Sequence, residues 1–113
     1  PIEIVRPPAC PVWTYDDKYS GGTEEICPGR FSDEERTEIE RLARTIHKIL
    51  DLRHYSRSDF IVTSRGVYAL ETNTLPGLTP ESLLPKALSA IGCDYPRFLE
   101  HLLGLALSDV VRN

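Results

Sequence analysis

Apolar positions change their period several times along this chain, and each change predicts an element. Ile39, Leu42, Ala43, Ile46, Ile49 and Leu50 recur at helical spacing and make one apolar stripe. Ser32-Asp33-Glu34-Glu35 stands before the stripe as a capping box, which predicts a helix from about Asp33 to Leu50. His47 lies beside the stripe and reads as a boundary or surface residue. Pro1–Val5 alternates, with Ile2 and Ile4 against Glu3, and predicts a short strand. Asp59–Val62 and Val67–Glu71 are β-rich runs separated by Thr63-Ser64-Arg65-Gly66, a hairpin signal with Gly66 supplying a positive φ. Thr79-Pro80 has the form of a helix N-cap followed by proline at the first position. Pro85 is then expected to divide that segment into a single turn and a second short helix ending before Gly92. A last helix is predicted to start near Asp94–Pro96 and run through Phe98, Leu99, Leu102, Leu103 and Ala106. The stretch from Arg6 to Phe31 has no sustained period. A loop of that length in a compact domain is usually functional or disordered, and Trp13-Thr14-Tyr15-Asp16-Asp17-Lys18-Tyr19 makes it too sticky for a plain linker. The element order predicts an α+β fold, a small mostly antiparallel sheet packed with helices.

The hairpin is where side-chain chemistry enters. With a three-residue loop, Ser64-Arg65-Gly66, the partners are Thr63 with Val67, Ile61 with Ala69 and Asp59 with Glu71. Alternation then puts Phe60, Val62, Tyr68 and Leu70 on one apolar face, and Asp59 and Glu71 directly across from each other on the other. Their Cβ atoms are expected ~4.5–5.5 Å apart, where like charges repel. Asn73 points the same way if the strand continues, and Arg57 also faces that side. Two carboxylates and an amide oxygen suit a hard cation such as Mg2+ sharing its coordination with phosphate oxygens. They also suit solvated strand ends, or a pair neutralised by Arg57, and spacing alone leaves these readings open. Downstream, the free N–H groups of the turn at Thr79-Pro80-Glu81-Ser82 offer a place for a carboxylate or phosphate, or ordinary capping.

Composition narrows the function classes. The chain has 113 residues, 41% hydrophobic and 27% charged, the make-up of one folded soluble domain. Its net charge of −4 and lack of a basic cluster argue against nucleic acid as partner. No apolar run approaches the ~20 residues that span a bilayer. The sequence opens with no charged-then-apolar leader, and Cys10, Cys27 and Cys93 are widely spaced with no C-x-x-C. A cytoplasmic protein with reduced thiols is the expectation.

A long ordered motif goes further. Arg57-Ser58-Asp59-Phe60, then Leu70-Glu71-Thr72-Asn73-Thr74-Leu75-Pro76-Gly77-Leu78-Thr79, then Ser82-Leu83 and Pro85-Lys86, resemble the carboxyl-terminal part of D-alanine–D-alanine ligases, ATP-grasp enzymes of peptidoglycan precursor synthesis. Pro1-Ile2-Glu3-Ile4, the aromatic stretch Trp13–Tyr19 and Ile26-Cys27-Pro28 are similar to the same family, so the resemblance covers almost the whole chain.

The resemblance implies roles residue by residue. Asp59, Glu71 and Asn73 match ligands of the two magnesium (or manganese) ions that bridge the ATP phosphates. Arg57 matches the arginine that steadies the tetrahedral intermediate, and the Gly77 N–H matches the other half of that oxyanion site. Ser82, with the Leu83 N–H, matches the pocket for the carboxylate of the second D-alanine. Lys18 and Tyr19 match a mobile active-site loop, about residues 7–31, that closes over the nucleotide. Tyrosine at that position accompanies D-alanine rather than D-lactate as second substrate. Residues 57–73 are then the metal-binding hairpin. The implied reaction phosphorylates one D-alanine with ATP, and the amine of the second attacks the acyl phosphate.

Full ligases of the family are about three times longer. The resemblance therefore implies one segment of a larger or split enzyme, inactive until the first-substrate and ATP-gripping lobes are supplied. An exposed apolar surface is expected to bind those lobes or further copies of the chain. The competing expectation is a non-catalytic remnant, a structural or metal-binding module that keeps the fold. Asp51 and His54 stand where relatives tend to have glycine, so a local difference is expected in that turn.

Overall fold

The computed structural model describes residues 1–5 and 23–111. Four strands and three helices follow in the order β1 (Glu3–Val5), β2 (Glu24–Ile26), α1 (Asp33–Ile49), β3 (Arg57–Thr63), β4 (Gly66–Asn73), α2 (Leu83–Ala90) and α3 (Tyr95–Val111). They make two antiparallel two-stranded sheets, β1 with β2 and β3 with β4. β2 falls inside the stretch expected to be loop. Its three residues, Glu24-Glu25-Ile26, are too few to show an alternation, and pairing to β1 makes the strand. Glu3 ties this sheet down by receiving Arg30 through both guanidinium and backbone N–H groups, which hold its carboxyl below the usual range. The Cys27–Pro28 peptide that follows β2 is cis.

α1 begins as the sequence predicts. The Glu35 N–H donates to the Ser32 hydroxyl, and the Glu35 carboxylate accepts from the Ser32 N–H. Its apolar side packs on β3 and β4, with Ile39 buried. The helix ends in a two-bond lock: the Leu52 N–H donates to the His47 carbonyl at 3.0 Å and the Asp51 N–H to the Lys48 carbonyl at 3.2 Å. That lock needs a left-handed residue, and Asp51 supplies it with φ 51°; His54 follows with φ 60°. The turn thus keeps the backbone that glycine would favour, at roughly 1 kcal/mol of strain per residue. α2 ends in the same pair of bonds, with Gly92 at φ 75° in the place Asp51 takes after α1.

Pro85 does not divide α2. It is the third residue of the helix, within the first turn, where its missing N–H has no acceptor to lose. The N-cap is Ser82 rather than Thr79; residues 79–82 form a turn closed by the Ser82 N–H on the Thr79 carbonyl at 2.9 Å. An ion pair between Lys86 and Glu25 joins α2 to β2. Asp94 opens α3, its carboxylate accepting from the Arg97 N–H at 2.9 Å. Phe98 is buried on that helix, with the Tyr55 ring edge-on to it at 5.5 Å between centroids.

The hairpin differs from its expected register at one end. Thr63 pairs with Gly66, Val62 with Val67, Ile61 with Tyr68 and Phe60 with Ala69, so the loop has two residues, not three. A bulge between Asp59 and Phe60 leaves Leu70 without a partner, and beyond it Asp59 pairs with Glu71, Ser58 with Thr72 and Arg57 with Asn73. Tyr68 therefore does not share the inner face with Phe60 and Val62. It lies with Ile61 on the outer face, 49% exposed, and Leu70 is 61% exposed. Among the described residues the buried apolar side chains are Ile39 and Phe98, a thin core.

Candidate functional site

Because side chains alternate along a strand, the pairs Arg57–Asn73 and Asp59–Glu71 occupy one face at the open end of the hairpin. The bulge is what permits this. With a two-residue loop and no bulge, Glu71 would stand across from Ser58 and point to the inner face.

Arg57 organises the acidic pair. Its Nε and Nη2 donate to the two Asp59 carboxylate oxygens at 2.7 and 3.0 Å, a forked pair, while Nη2 lies 3.9 Å from Glu71 Oε1. Arg57 and Asp59 are mostly enclosed, and Glu71 is 69% exposed. One guanidinium thus faces two carboxylates, leaving an excess negative charge at that spot. The Asn73 amide oxygen accepts from the Leu75 N–H at 2.9 Å, which turns the chain out of β4 and keeps a second lone pair of that oxygen free. No three or more His, Cys, Asp or Glu side chains gather in a metal-binding group among the described residues. The donors here are two carboxylates and one amide, all hard oxygen. Oxygen donors of this kind are the ones a magnesium-class ion takes.

The turn after β4 brings Gly77 and Ser82 together. A Cβ built on Gly77 would meet Ser82 Oγ at 2.8 Å, so glycine is what lets the backbone pass this hydroxyl. Ser82 Oγ lies 3.0 Å from Thr79 Oγ1 and makes no capping bond to α2. Leu83 is the first residue of that helix, so its N–H has no intrahelical acceptor. Ser82 and Leu83, the residues expected to receive a carboxylate, are therefore at the N-terminus of α2, though the helix starts at Leu83 and not at Pro80. Lys18 and Tyr19, with the rest of residues 6–22, lie outside the described residues.

Sequence reasoning missed one polar contact beside this site. His47 Nδ1 lies 2.8 Å from Ser56 Oγ, partly buried, joining the last turn of α1 to the residue before β3. His47 is half-buried at the boundary position that the sequence predicts, and it is bonded there to Ser56. Its position next to the apolar stripe was the available signal.

Comparison with known proteins gives these features a context. A family profile described as "D-ala D-ala ligase C-terminus" matches residues 2–104. The D-alanine–D-alanine ligase of Syntrophobacter fumaroxidans is 40% identical over 109 residues, covering 96% of this chain and 35% of that protein. That of Desulfotalea psychrophila is 43% identical over 108 residues, 94% of this chain and 34% of that one. Among solved structures, the D-alanine–D-alanine ligase of Bacillus anthracis superposes with a TM-score of 0.77 at 30% identity, over 95% of this chain and 34% of that one, and its ATP complex does so equally over 35%. The chain spans about a third of the length of these relatives. No helix among the described residues is long and apolar enough to cross a membrane. With the profile spanning residues 2–104 of the 113 and the solved ligases sharing its architecture, the chain belongs to the D-alanine–D-alanine ligase carboxyl-terminal family.

Proposed function

We propose that this chain is the catalytic carboxyl-terminal third of an ATP-dependent ligase that joins two D-alanines for peptidoglycan precursor synthesis in the cytoplasm. The observation that carries the reading is the bulged register. It sets Glu71 opposite Asp59 with Arg57 between them, in a family whose solved relatives include an ATP complex.

The residues divide the work by chemistry. Asp59, Glu71 and Asn73 would hold Mg2+ or Mn2+, which when bound offsets the charge between ATP phosphates. One D-alanine carboxylate takes the γ-phosphoryl group, giving an acyl phosphate and ADP; the amine of the second then attacks that carbonyl, and phosphate leaves. Arg57 and the Gly77 N–H face the oxyanion that develops in the attack. The Ser82 hydroxyl and Leu83 N–H receive the carboxylate of the second D-alanine, helped by the positive end of α2. Lys18 and Tyr19 would act on the nucleotide and the acyl phosphate, and Tyr19 favours D-alanine over D-lactate.

The isolated chain lacks the rest of a ligase's length and is expected to be inactive alone. Its thin core supports this, because exposed Ile61, Tyr68, Leu70 and Leu75 leave apolar surface for the remaining lobes. The test supplies those lobes, fused ahead of Pro1 or as a separate polypeptide, and follows ADP release. Release that depends on D-alanine, and is absent from either piece alone, supports the reading. A folded reconstituted assembly with no D-alanine-dependent release makes the chain a non-catalytic remnant.

A further inference from the structure

We propose that His47 and Ser56 are positioning residues: their hydrogen bond from α1 fixes the start of β3 and so aims the Arg57 guanidinium across Asp59 and Glu71. The proposal rests on the ligase reading for its effect on rate, but not for the bond itself.

The chain reaches β3 through a strained turn, closed locally by the Tyr55 N–H on the Arg53 carbonyl at 2.7 Å. Asp51 and His54 are both left-handed there, a conformation that side chains with a Cβ resist. Contacts with the body add to that local bond. The Leu52 N–H is bound to the His47 carbonyl, and the Tyr55 ring rests edge-on against Phe98. The last hold before the strand is His47 Nδ1 on Ser56 Oγ at 2.8 Å. Ser58 Oγ then meets Thr72 Oγ1 of β4 at 2.9 Å.

Alternation gives these contacts their meaning. Ser56 and Ser58 point to the inner side, and Arg57 between them points to the outer side with Asp59. Arg57 is thus pinned from behind on both flanks, by the helix through Ser56 and by the neighbouring strand through Ser58. The forked Arg57–Asp59 pair uses two parallel N–H donors, so it tolerates little rotation of the backbone that carries it. A histidine 2.8 Å from a serine hydroxyl also has the spacing of a nucleophile and its base. Ser56, however, faces α1 and turns away from the carboxylate face, so the pair acts through Arg57.

Two measurements test this. In the chain itself, the Arg57 Nε–H resonance should be shifted and slow to exchange. Both features should be lost in His47→Leu and in Ser56→Ala and restored in His47→Asn, whose amide can still bond the Ser56 hydroxyl. In the complete ligase, His47→Leu and Ser56→Ala should each lower kcat by about 10-fold or more, with the KM values for ATP and D-alanine moving far less. The double variant should be no slower than the slower single variant. Ser56→Ala guards against misfolding of the leucine variant, since it deletes only one oxygen, just before the strand. An unchanged Arg57 Nε–H in both variants, or multiplicative losses in the double variant, would overturn the proposal. If the unsubstituted assembly makes no ADP, the ligase reading fails, and the Arg57 resonance still decides the pairing.

Discussion

The two halves of the β3–β4 hairpin obey different registers, and Leu70 is where they meet. On the turn side, Phe60, Val62 and Val67 are half-buried on the inner face while Ile61 and Tyr68 face out, an arrangement concerned with packing. On the open side, Arg57, Asp59, Glu71 and Asn73 share the outer face, an arrangement concerned with charge. A two-residue loop sets the first register by its own geometry, and one unpaired residue resets the ladder before the charged pairs begin. Turn geometry and site geometry are thereby uncoupled, so each is met without straining the other.

The strongest test of this division is Glu71→Gln in the complete ligase. Changing groups that merely orient metal ligands costs 10–100-fold, so replacing a ligand itself should lower ADP release by at least on the order of 100-fold. Stability should stay level or rise, because the repulsion between Asp59 and Glu71 is relieved. ADP release and thermal melting together read both outcomes; unaltered turnover removes Glu71 from the metal role.

Packing should answer on the other half. Phe60→Ala empties a partly buried inner position and is expected to cost about 2–3 kcal/mol in denaturant unfolding of the chain. Ile61→Ser, one residue on but facing out, should stay within about 0.5 kcal/mol. Equal costs would mean that the two faces are not distinguished as described.

Deleting Leu70 probes the junction. Without the bulged residue the ladder becomes regular, and Asp59 should remain opposite Glu71. Cross-strand proton contacts between residues 59 and 71, and between 60 and 69, should therefore survive. Deleting Ala69 as well should turn Glu71 to the inner face and abolish the first of them.

The same junction explains what could be read in advance. A three-residue loop without a bulge and a two-residue loop with one both pair Asp59 with Glu71, so the charged end was legible although the loop was misjudged. The turn side was not, because the two alternatives place Tyr68 on opposite faces and both strands remain apolar either way. α1 was legible because its cap and its stripe are local signals. β2 was not, since three residues carry no period and its partner lies about twenty residues earlier. The His47–Ser56 bond was hidden for a similar reason: only the turn between them brings the two residues together.

That turn also carries the smallest predicted effect, and it lies upstream of the open half alone. Asp51 and Gly92 occupy equivalent places at the ends of α1 and α2, with the same two closing bonds, yet only one of them is glycine. Aspartate there bears left-handed strain and sets a negative charge at the negative end of a helix. Asp51→Gly removes both, against a gain in freedom of the unfolded chain worth about 0.4–1 kcal/mol. The net expectation is a stabilisation of about 0.5 kcal/mol, visible as a higher midpoint in urea with an unchanged slope. Gly92→Ala should destabilise, because it imposes at α2 the strain that Asp51 bears at α1. A loss of stability in Asp51→Gly would show that the aspartate side chain holds the turn leading to Arg57, and the open half of the hairpin would then depend on it as well.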